Sequence, residues 1–221
     1  DYALLEPWLV NGELTLNTDI ELNEEDMYRP IPAYFIHHLY VPINGKGHKL
    51  TVNFKTNQAV LGIFQHVHRN IHDLNIAGSF ELNCTNAGGT VAAIGQQSSN
   101  ADVTISRVNS SATIIFNGRG GTNAKAGGLM TAAANNQTLK FVDCTVTGDI
   151  ILKQCPNHIG GIISTGTMGG KGGAGLVSID GCTFSGKIIY NESGSSTGHF
   201  ANARLGGIIG SQERNGSITD C

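Results

Sequence analysis

The sequence predicts an all-β protein, a right-handed parallel β-helix (solenoid) of about five turns with an N-terminal cap. One observation is that paired glycines followed by two residues suited to an interior recur, at Gly88, Gly127, Gly160 and Gly206. A second is that polar and apolar residues alternate after each pair, with the spacing of a β-strand. Such a unit buries its apolar face only by stacking on its neighbours.

The period of the repeat is clearest at one apolar position in each unit. Leu74, Val108, Cys144, Cys182 and Cys221 occupy it, at intervals of 34, 36, 38 and 39 residues. The segments before it alternate, as in Val103-Thr104-Ile105. Helical repeats of similar length would instead need apolar residues at three-and-four spacing. The pattern therefore predicts strands.

Each unit is predicted to hold three short strands: the Gly-Gly strand, the Val-Thr-Ile type strand and the Cys-Thr-Val type strand. A polar corner lies before the third strand, at Asp73, Arg107, Asp143, Gly181 and Asp220. An extended unit would have a perimeter on the order of 120 Å, too open to fill, so part of each unit must form loops. The alternative is two turns of about eighteen residues per unit, as in helices built on hexapeptides. The sequence shows no hexapeptide rhythm, which favours the first arrangement.

The chain divides into two predicted regions. Residues 1–50 are expected to form an N-terminal cap and first strands, because Leu14, Leu16, Ile20 and Leu22 alternate with polar residues. A cap covers the apolar mouth and unpaired edge that the first turn would otherwise expose. Residues 51–221 are expected to form the β-helix repeats. The sequence stops at Cys221 in mid-unit, so the natural protein is expected to continue.

The composition agrees with an extracellular all-β protein. Thirty glycines, 14% charged residues and a net charge of -3 leave no basic footprint for nucleic acid. No apolar stretch approaches the roughly twenty residues of a membrane-spanning helix, so any anchor is expected outside this chain. The chain opens at Asp1 without a signal peptide, which is typical of a mature or trimmed product.

Five cysteines are present, an odd number. Three of them, Cys144, Cys182 and Cys221, occupy the position that Leu74 and Val108 occupy in other units. Aliphatic residues at the same position predict buried, hydrophobic thiols. Free thiols are therefore expected.

Several segments in order resemble a known family. They are Leu14 to Leu22, Ile43 to Leu50, Gly62-Ile63-Phe64, Ile71 to Gly78 and the serial Gly-Gly-Ile-Ile units. Together they resemble β-helical surface proteins carrying the so-called GLUG repeat, found on gut Bacteroidetes and Firmicutes and beside the catalytic part of immunoglobulin A metallopeptidases. Gly207-Ile208-Ile209-Gly210 meets the four-residue signature, whereas Gln65, Ala92, Thr131 and Ser164 replace its last glycine elsewhere. The resemblance implies a secreted or outer-surface, adhesin-like module without catalytic residues.

The expected function is binding of a glycan, or of a host or bacterial surface protein, through stacked loops at one corner. Such loops offer Asn, Ser and Gly for adaptable hydrogen bonds and a few aromatic or cationic tips. No cofactor is expected. The candidate ligand-binding residues follow the third strand of each unit and are Arg119, Lys125, His158, Tyr190, His199, Phe200 and Arg204.

Two other functions stay open. A polysaccharide lyase or glycoside hydrolase would need paired carboxylates or acidic calcium ligands. Asp73, Asp143 and Asp220 recur at one corner, although Asx turns explain them as well. The other function is a structural spacer within a larger surface protein.

A metal site is a weaker hypothesis. His66 and His68 lie on one face of a predicted strand, and His72 follows four residues later. These imidazoles would suit zinc if a carboxylate such as Asp73 joined them. The absence of Cys partners and of a Glu-flanked helical motif favours an exposed polar edge instead.

Overall fold

The computed structural model describes residues 9–10, 12–24, 38–85, 88–98, 101–120, 123–134, 136–166, 176–191, 203–211 and 216–221. In these residues the protein is all-β, with parallel strands in stacked sheets. None of them belongs to a helix that is long and apolar enough to cross a membrane.

Short strands account for most of the described chain. Most have two to four residues, and the two longest have eight. In chain order they are β1 (Leu9–Val10), β2 (Glu13–Thr15), β3 (Ile20–Leu22), β4 (His38–Leu39), β5 (Ile43–Asn44), β6 (Lys49–Thr56), β7 (Val60–Leu61), β8 (His66–Val67), β9 (Ile71–His72), β10 (Asn75–Leu82), β11 (Thr90–Val91), β12 (Gln96–Gln97), β13 (Val103–Ser106), β14 (Asn109–Ser110), β15 (Thr113–Phe116), β16 (Lys125–Gly127), β17 (Met130–Ala132), β18 (Leu139–Val142), β19 (Thr145–Val146), β20 (Ile150–Leu152), β21 (His158–Gly160), β22 (Ile163–Thr165), β23 (Val177–Asp180), β24 (Thr183–Phe184), β25 (Ile188–Tyr190), β26 (Arg204–Gly206), β27 (Ile209–Ser211) and β28 (Gly216–Thr219).

The described strands form five sheets, which we number I to V. Pairing is parallel throughout, except that β1 joins β2 antiparallel. An isolated bridge between Gly95 and Met130 links sheets IV and V. The members are, for sheet I, β1, β2, β5, β9, β13, β18, β23 and β28; for sheet II, β3, β6, β10, β14, β15, β19, β20, β24 and β25; for sheet III, β7, β11, β16, β21 and β26; for sheet IV, β4, β8 and β12; and for sheet V, β17, β22 and β27.

The chain visits these sheets in a repeating order: I, II, III, then IV or V, and back to I. Partners in sheet I recur at intervals of 29, 28, 34, 36, 38 and 39 residues, starting from Leu14. The last four intervals confirm the period predicted from the sequence. Strands between residues 13 and 50 lie in the same sheets, and the boundary at residue 50 stays a prediction.

Alternation along the strands places columns of apolar side chains in the core. In sheet I one such column contains Ile71, Ile105, Phe141 and Ile179, none of which is exposed to solvent. The predicted column of Leu74, Val108, Cys144 and Cys182 is confirmed, since the residues that follow them pair in register and all four side chains are buried. Sheet II adds an edge-to-face pair between Phe54 and Phe80, whose ring centroids lie 6.1 Å apart. The period of two, which alternates faces along a strand, produces this core.

The thiols follow the same column. All five cysteines are free, and Cys84, Cys144, Cys155 and Cys182 are buried. Cys221 differs from the prediction because it is exposed. In the described residues no strand packs over Cys221, whereas Cys182 lies over Cys144 and accepts a hydrogen bond from the Cys144 backbone N–H at 3.4 Å.

The predicted polar corner is a column of left-handed residues between sheets I and II. Asp73, Arg107, Asp143 and Asp220 have φ values of 54°, 50°, 53° and 51°, and Gly181 has 60°. Asp and Gly tolerate this region better than most residues. The corners at Asp73, Arg107, Asp143 and Gly181 turn the chain from sheet I into sheet II, so the recurring aspartates have a conformational role.

The paired glycines differ from the prediction in two ways. They form a corner and not a strand, because β16 ends at Gly127 and β17 begins at Met130. Units from β13 onward therefore hold five strands where three were predicted. In addition, Gly88-Gly89 is not equivalent to the other pairs: Val91 pairs with Ala126, which places Ala92-Ala93 opposite Gly127-Gly128. Alanine takes the place of glycine there, and one unit earlier Gly62-Ile63 occupies the same two positions.

Candidate functional site

Three of the predicted ligand residues begin successive strands of sheet III. Lys125 pairs with His158, and His158 pairs with Arg204, so the three lie in register in one column. The prediction placed them in loops, and that was wrong because their strands start earlier than the alternation indicated. We call Lys125, His158 and Arg204 the basic column.

The basic column lies on the outer face of sheet III. In β16 and β21 the next residue, Ala126 or Ile159, is buried in the core, so Lys125 and His158 point the opposite way. In β26 the next residue, Leu205, is itself 64% exposed. Neighbouring strands are about 4.8 Å apart, so the column spans on the order of 10 Å. Exposure differs along it: His158 is buried, Lys125 is half-buried and Arg204 is exposed.

Within the basic column, burial changes the electrostatics of Lys125. Burial lowers the pKa of its ammonium group. Its Nζ donates to the backbone carbonyl of Asn123 at 3.3 Å, and no carboxylate among the described residues pairs with it. Arg204 donates from Nη1 to the Ser211 hydroxyl at 2.9 Å, which ties its guanidinium to β27 of sheet V. A partly desolvated ammonium group with a guanidinium two strands away favours an anionic ligand.

The other predicted ligand residues do not join the column. Arg119 is exposed in the connection between β15 and β16. Tyr190 points inward, in register with Leu152 and packed against the core, so its placement in a loop was wrong. Its strand continues the apolar alternation of Ile188, which the sequence already shows. His199 and Phe200 lie outside the described residues.

Four rings form a second cluster on the outer face of sheet IV, at His38, Tyr40, His66 and His68. We call it the ring cluster. His38 stacks on His66 with centroids 4.7 Å apart, and Tyr40 stacks on His68 at 4.4 Å. Nδ1 of His38 and Nε2 of His68 are 3.0 Å apart and share one proton. Burial and the neighbouring His38, His66 and Arg69 lower the pKa of His68.

The predicted metal candidates are only partly brought together. His66 and His68 belong to the ring cluster, whereas His72 lies in sheet I and binds Asp73 and Glu13. Over the described ranges, no group of three or more His, Cys, Asp or Glu side chains is arranged to hold a metal ion. The sequence analysis missed His38 and Tyr40. The signal was present, since His38-Leu39-Tyr40 repeats the spacing of His66-Val67-His68 one unit earlier.

The carboxylate at Asp73 takes part in a polar network at the corner column. Arg107 donates to it twice, from Nε at 2.6 Å and from Nη2 at 2.9 Å. Nδ1 of His72 lies 2.7 Å from the same carboxylate, and Nε2 of His72 lies 3.3 Å from Glu13. The Arg107 hydrogen bonds, and then the one from His72, hold the pKa of Asp73 well below its usual range. The network joins residues at β2, β9 and β13, across the intervening β5.

This network predicts acid sensitivity. Because the folded-state pKa of Asp73 is depressed, its contribution to stability is present above an unfolded pKa of about 3.9 and is lost as the pH falls below it. We expect the wild-type chain to lose more stability between pH 5 and pH 2 than Asp73→Asn, since asparagine tolerates the left-handed backbone without titrating. Urea unfolding followed by circular dichroism at several pH values measures this. Parallel pH curves for the two proteins would contradict it.

Comparison of the chain with protein-family models, curated proteins and solved structures finds no match. The function is therefore argued from the residues and their geometry.

Proposed function

We propose that this chain is a right-handed parallel β-helix serving as a non-catalytic, adhesin-like module, extracellular or on a bacterial cell surface, that binds a glycan or a protein. The in-register parallel pairing of each unit with the next supports the helix. Right-handed crossovers account for about 98% of parallel connections, which supports the hand. From the sequence resemblance we also propose kinship with the GLUG-repeat surface proteins.

The observation that carries the binding role is the basic column. Lys125, His158 and Arg204 are held in register on adjacent strands, so their spacing is set by backbone pairing and not by loop motion. A site on rigid strands loses little conformational entropy when a ligand binds. Carboxylates or sulfates along an extended glycan, or along an acidic peptide, would meet these groups in turn.

A polysaccharide-degrading enzyme is less well supported by the geometry. Such an enzyme needs paired carboxylates that are free to act on a scissile bond. At the recurrent aspartate corner, Asp73 is engaged by Arg107 and His72, and Gly181 separates Asp143 from Asp220. Their left-handed backbone gives these aspartates a structural reason to recur. If no ligand is found, we propose that the chain is a structural spacer.

A glycan array probed with the fluorescently labelled chain tests the binding role. We expect binding to glycans that carry carboxylate or sulfate groups, and about tenfold or greater loss of affinity in Lys125→Gln and in Arg204→Gln, since a charge-assisted hydrogen bond contributes about 1.5–3 kcal/mol. Lys140→Gln is the matched control, because Lys140 is exposed on the outer face of sheet I. Equal losses in all three variants would point to general charge attraction. No binding on the array or to acidic peptides would favour the spacer.

A further inference from the structure

The ring cluster contains two imidazole nitrogens at a distance that suits a shared ion. Nδ1 of His38 and Nε2 of His68 are 3.0 Å apart, in adjacent strands of one sheet. One nitrogen donates and the other accepts, so both point into the same gap. Neutral imidazole nitrogens are common metal ligands.

Ligand geometry allows the two nitrogens to share one ion. Two nitrogens at about 2.0 Å from one metal are ~2.8 Å apart when the angle is a right angle and ~3.3 Å apart when it is tetrahedral. The observed 3.0 Å lies between these values, so a small movement of the rings brings both nitrogens within bonding distance of one ion. Square-planar or tetragonal sites with nitrogen and oxygen ligands are typical of Cu²⁺ and Ni²⁺, and Cu²⁺ binds more tightly in the Irving–Williams order.

Neighbouring groups hold the two rings in place. His66 stacks on His38, and Tyr40 stacks on His68 with its ring inclined by 29°. Nδ1 of His66 lies 3.4 Å from the amide nitrogen of Gln96, which turns this third imidazole away from the gap. His38 is half-buried and Tyr40 is 36% exposed, so the gap can be reached from solvent. Ordered supporting groups raise the affinity of a ligand pair.

We propose that His38 and His68 bind one Cu²⁺ ion through Nδ1 and Nε2, with water completing a tetragonal site. The ion lies to one side of the line that joins the two nitrogens. The ring that donates in the hydrogen bond changes tautomer: its N–H proton leaves to solvent and its other ring nitrogen takes one up, so both rings stay neutral and both facing nitrogens offer a lone pair to the ion. His66 and Tyr40 are positioning residues that keep the two rings stacked. This site lies on sheet IV and is independent of the ligand bound by the basic column on sheet III.

Isothermal titration of tag-free full-length chain with Cu²⁺, in a buffer containing glycine as a weak competitor, tests the proposal. We expect one site that weakens more than about tenfold in His38→Gln and in His68→Gln, since loss of a ligand should cost at least as much as loss of a supporting group. His48→Gln is the matched control, because His48 lies near Asp19, apart from the ring cluster. It should bind copper as the wild type does.

Electron paramagnetic resonance of the copper complex supplies a second readout. A tetragonal spectrum with hyperfine structure from two nitrogens is expected for the wild type and from fewer in His38→Gln, whose half-exposed position makes it the variant less disruptive to folding. Wild-type binding no tighter than that of a His38→Gln/His68→Gln double variant would overturn the proposal. So would unchanged spectra in the single variants.

Discussion

Gly161→Ala is expected to destabilise the chain by about 3 kcal/mol or more, because overpacking against backbone leaves little room to relax. A Cβ at Gly161 would overlap the carbonyl oxygen of Gly207 and the ring of Phe184. Both neighbours belong to the following unit, whose corner lies directly against this one. Urea unfolding monitored by circular dichroism measures the change.

The paired-glycine corner offers its own control. Gly207 occupies the equivalent position one unit later, and no described atom lies within 4 Å of a Cβ built there. Gly207→Ala is therefore expected to change the stability of this 221-residue chain by less than about 1 kcal/mol. Similar midpoints for the two variants would contradict the stacking of corner on corner.

Phe141→Ala is expected to destabilise the chain by about 3–5 kcal/mol. Phe141 is fully buried, in register with Ile105 on one side and Ile179 on the other. Removal of its ring opens a cavity between two units, and stacked units depend on such nearest-neighbour contacts. Chemical denaturation gives the overall loss of stability, and amide hydrogen exchange should show the greatest loss of protection in β13, β18 and β23.

The same strand provides the comparison for Phe141. Lys140 is exposed on the opposite face, so Lys140→Ala is expected to change stability by no more than about 0.5 kcal/mol. Phe141→Leu keeps most of the apolar volume and should fall between the two. If Phe141→Ala were as stable as Lys140→Ala, the column of sheet I would not be a core.

The sequence predicted the structure best where the alternation of a β-strand, with a period of two residues, coincides with the repeat of 34 to 39 residues. Val103-Thr104-Ile105 and its counterparts alternate, and their intervals match the pairing in sheet I. The prediction was weaker at the paired glycines, because glycines fit a closely packed strand as well as a corner. Gly88-Gly89 shows the difficulty. It is a glycine pair, but Val91 pairs with Ala126, so Gly88-Gly89 lies four residues before the position that corresponds to the glycine corner.

The candidate sites show a similar division. The sequence indicated Lys125, His158 and Arg204 among seven candidate ligand residues, because each follows the third strand of its unit. It could not indicate that they share a register, since that depends on how many residues each preceding loop takes up. Tyr190 was misplaced because an inward tyrosine and a loop tyrosine look alike at the end of a strand.

The sequence by itself determined the all-β class, the repeat interval from Leu74 onward and the inward-facing residues of sheet I, because these follow from alternation within a few neighbouring positions. Only the tertiary structure decided that the glycines turn corners, and that His38 meets His68 while His72 binds Asp73 and Glu13. Contacts of this kind join residues that are about one unit or more apart in the chain. They depend on register between strands, which is set by packing of the whole stack.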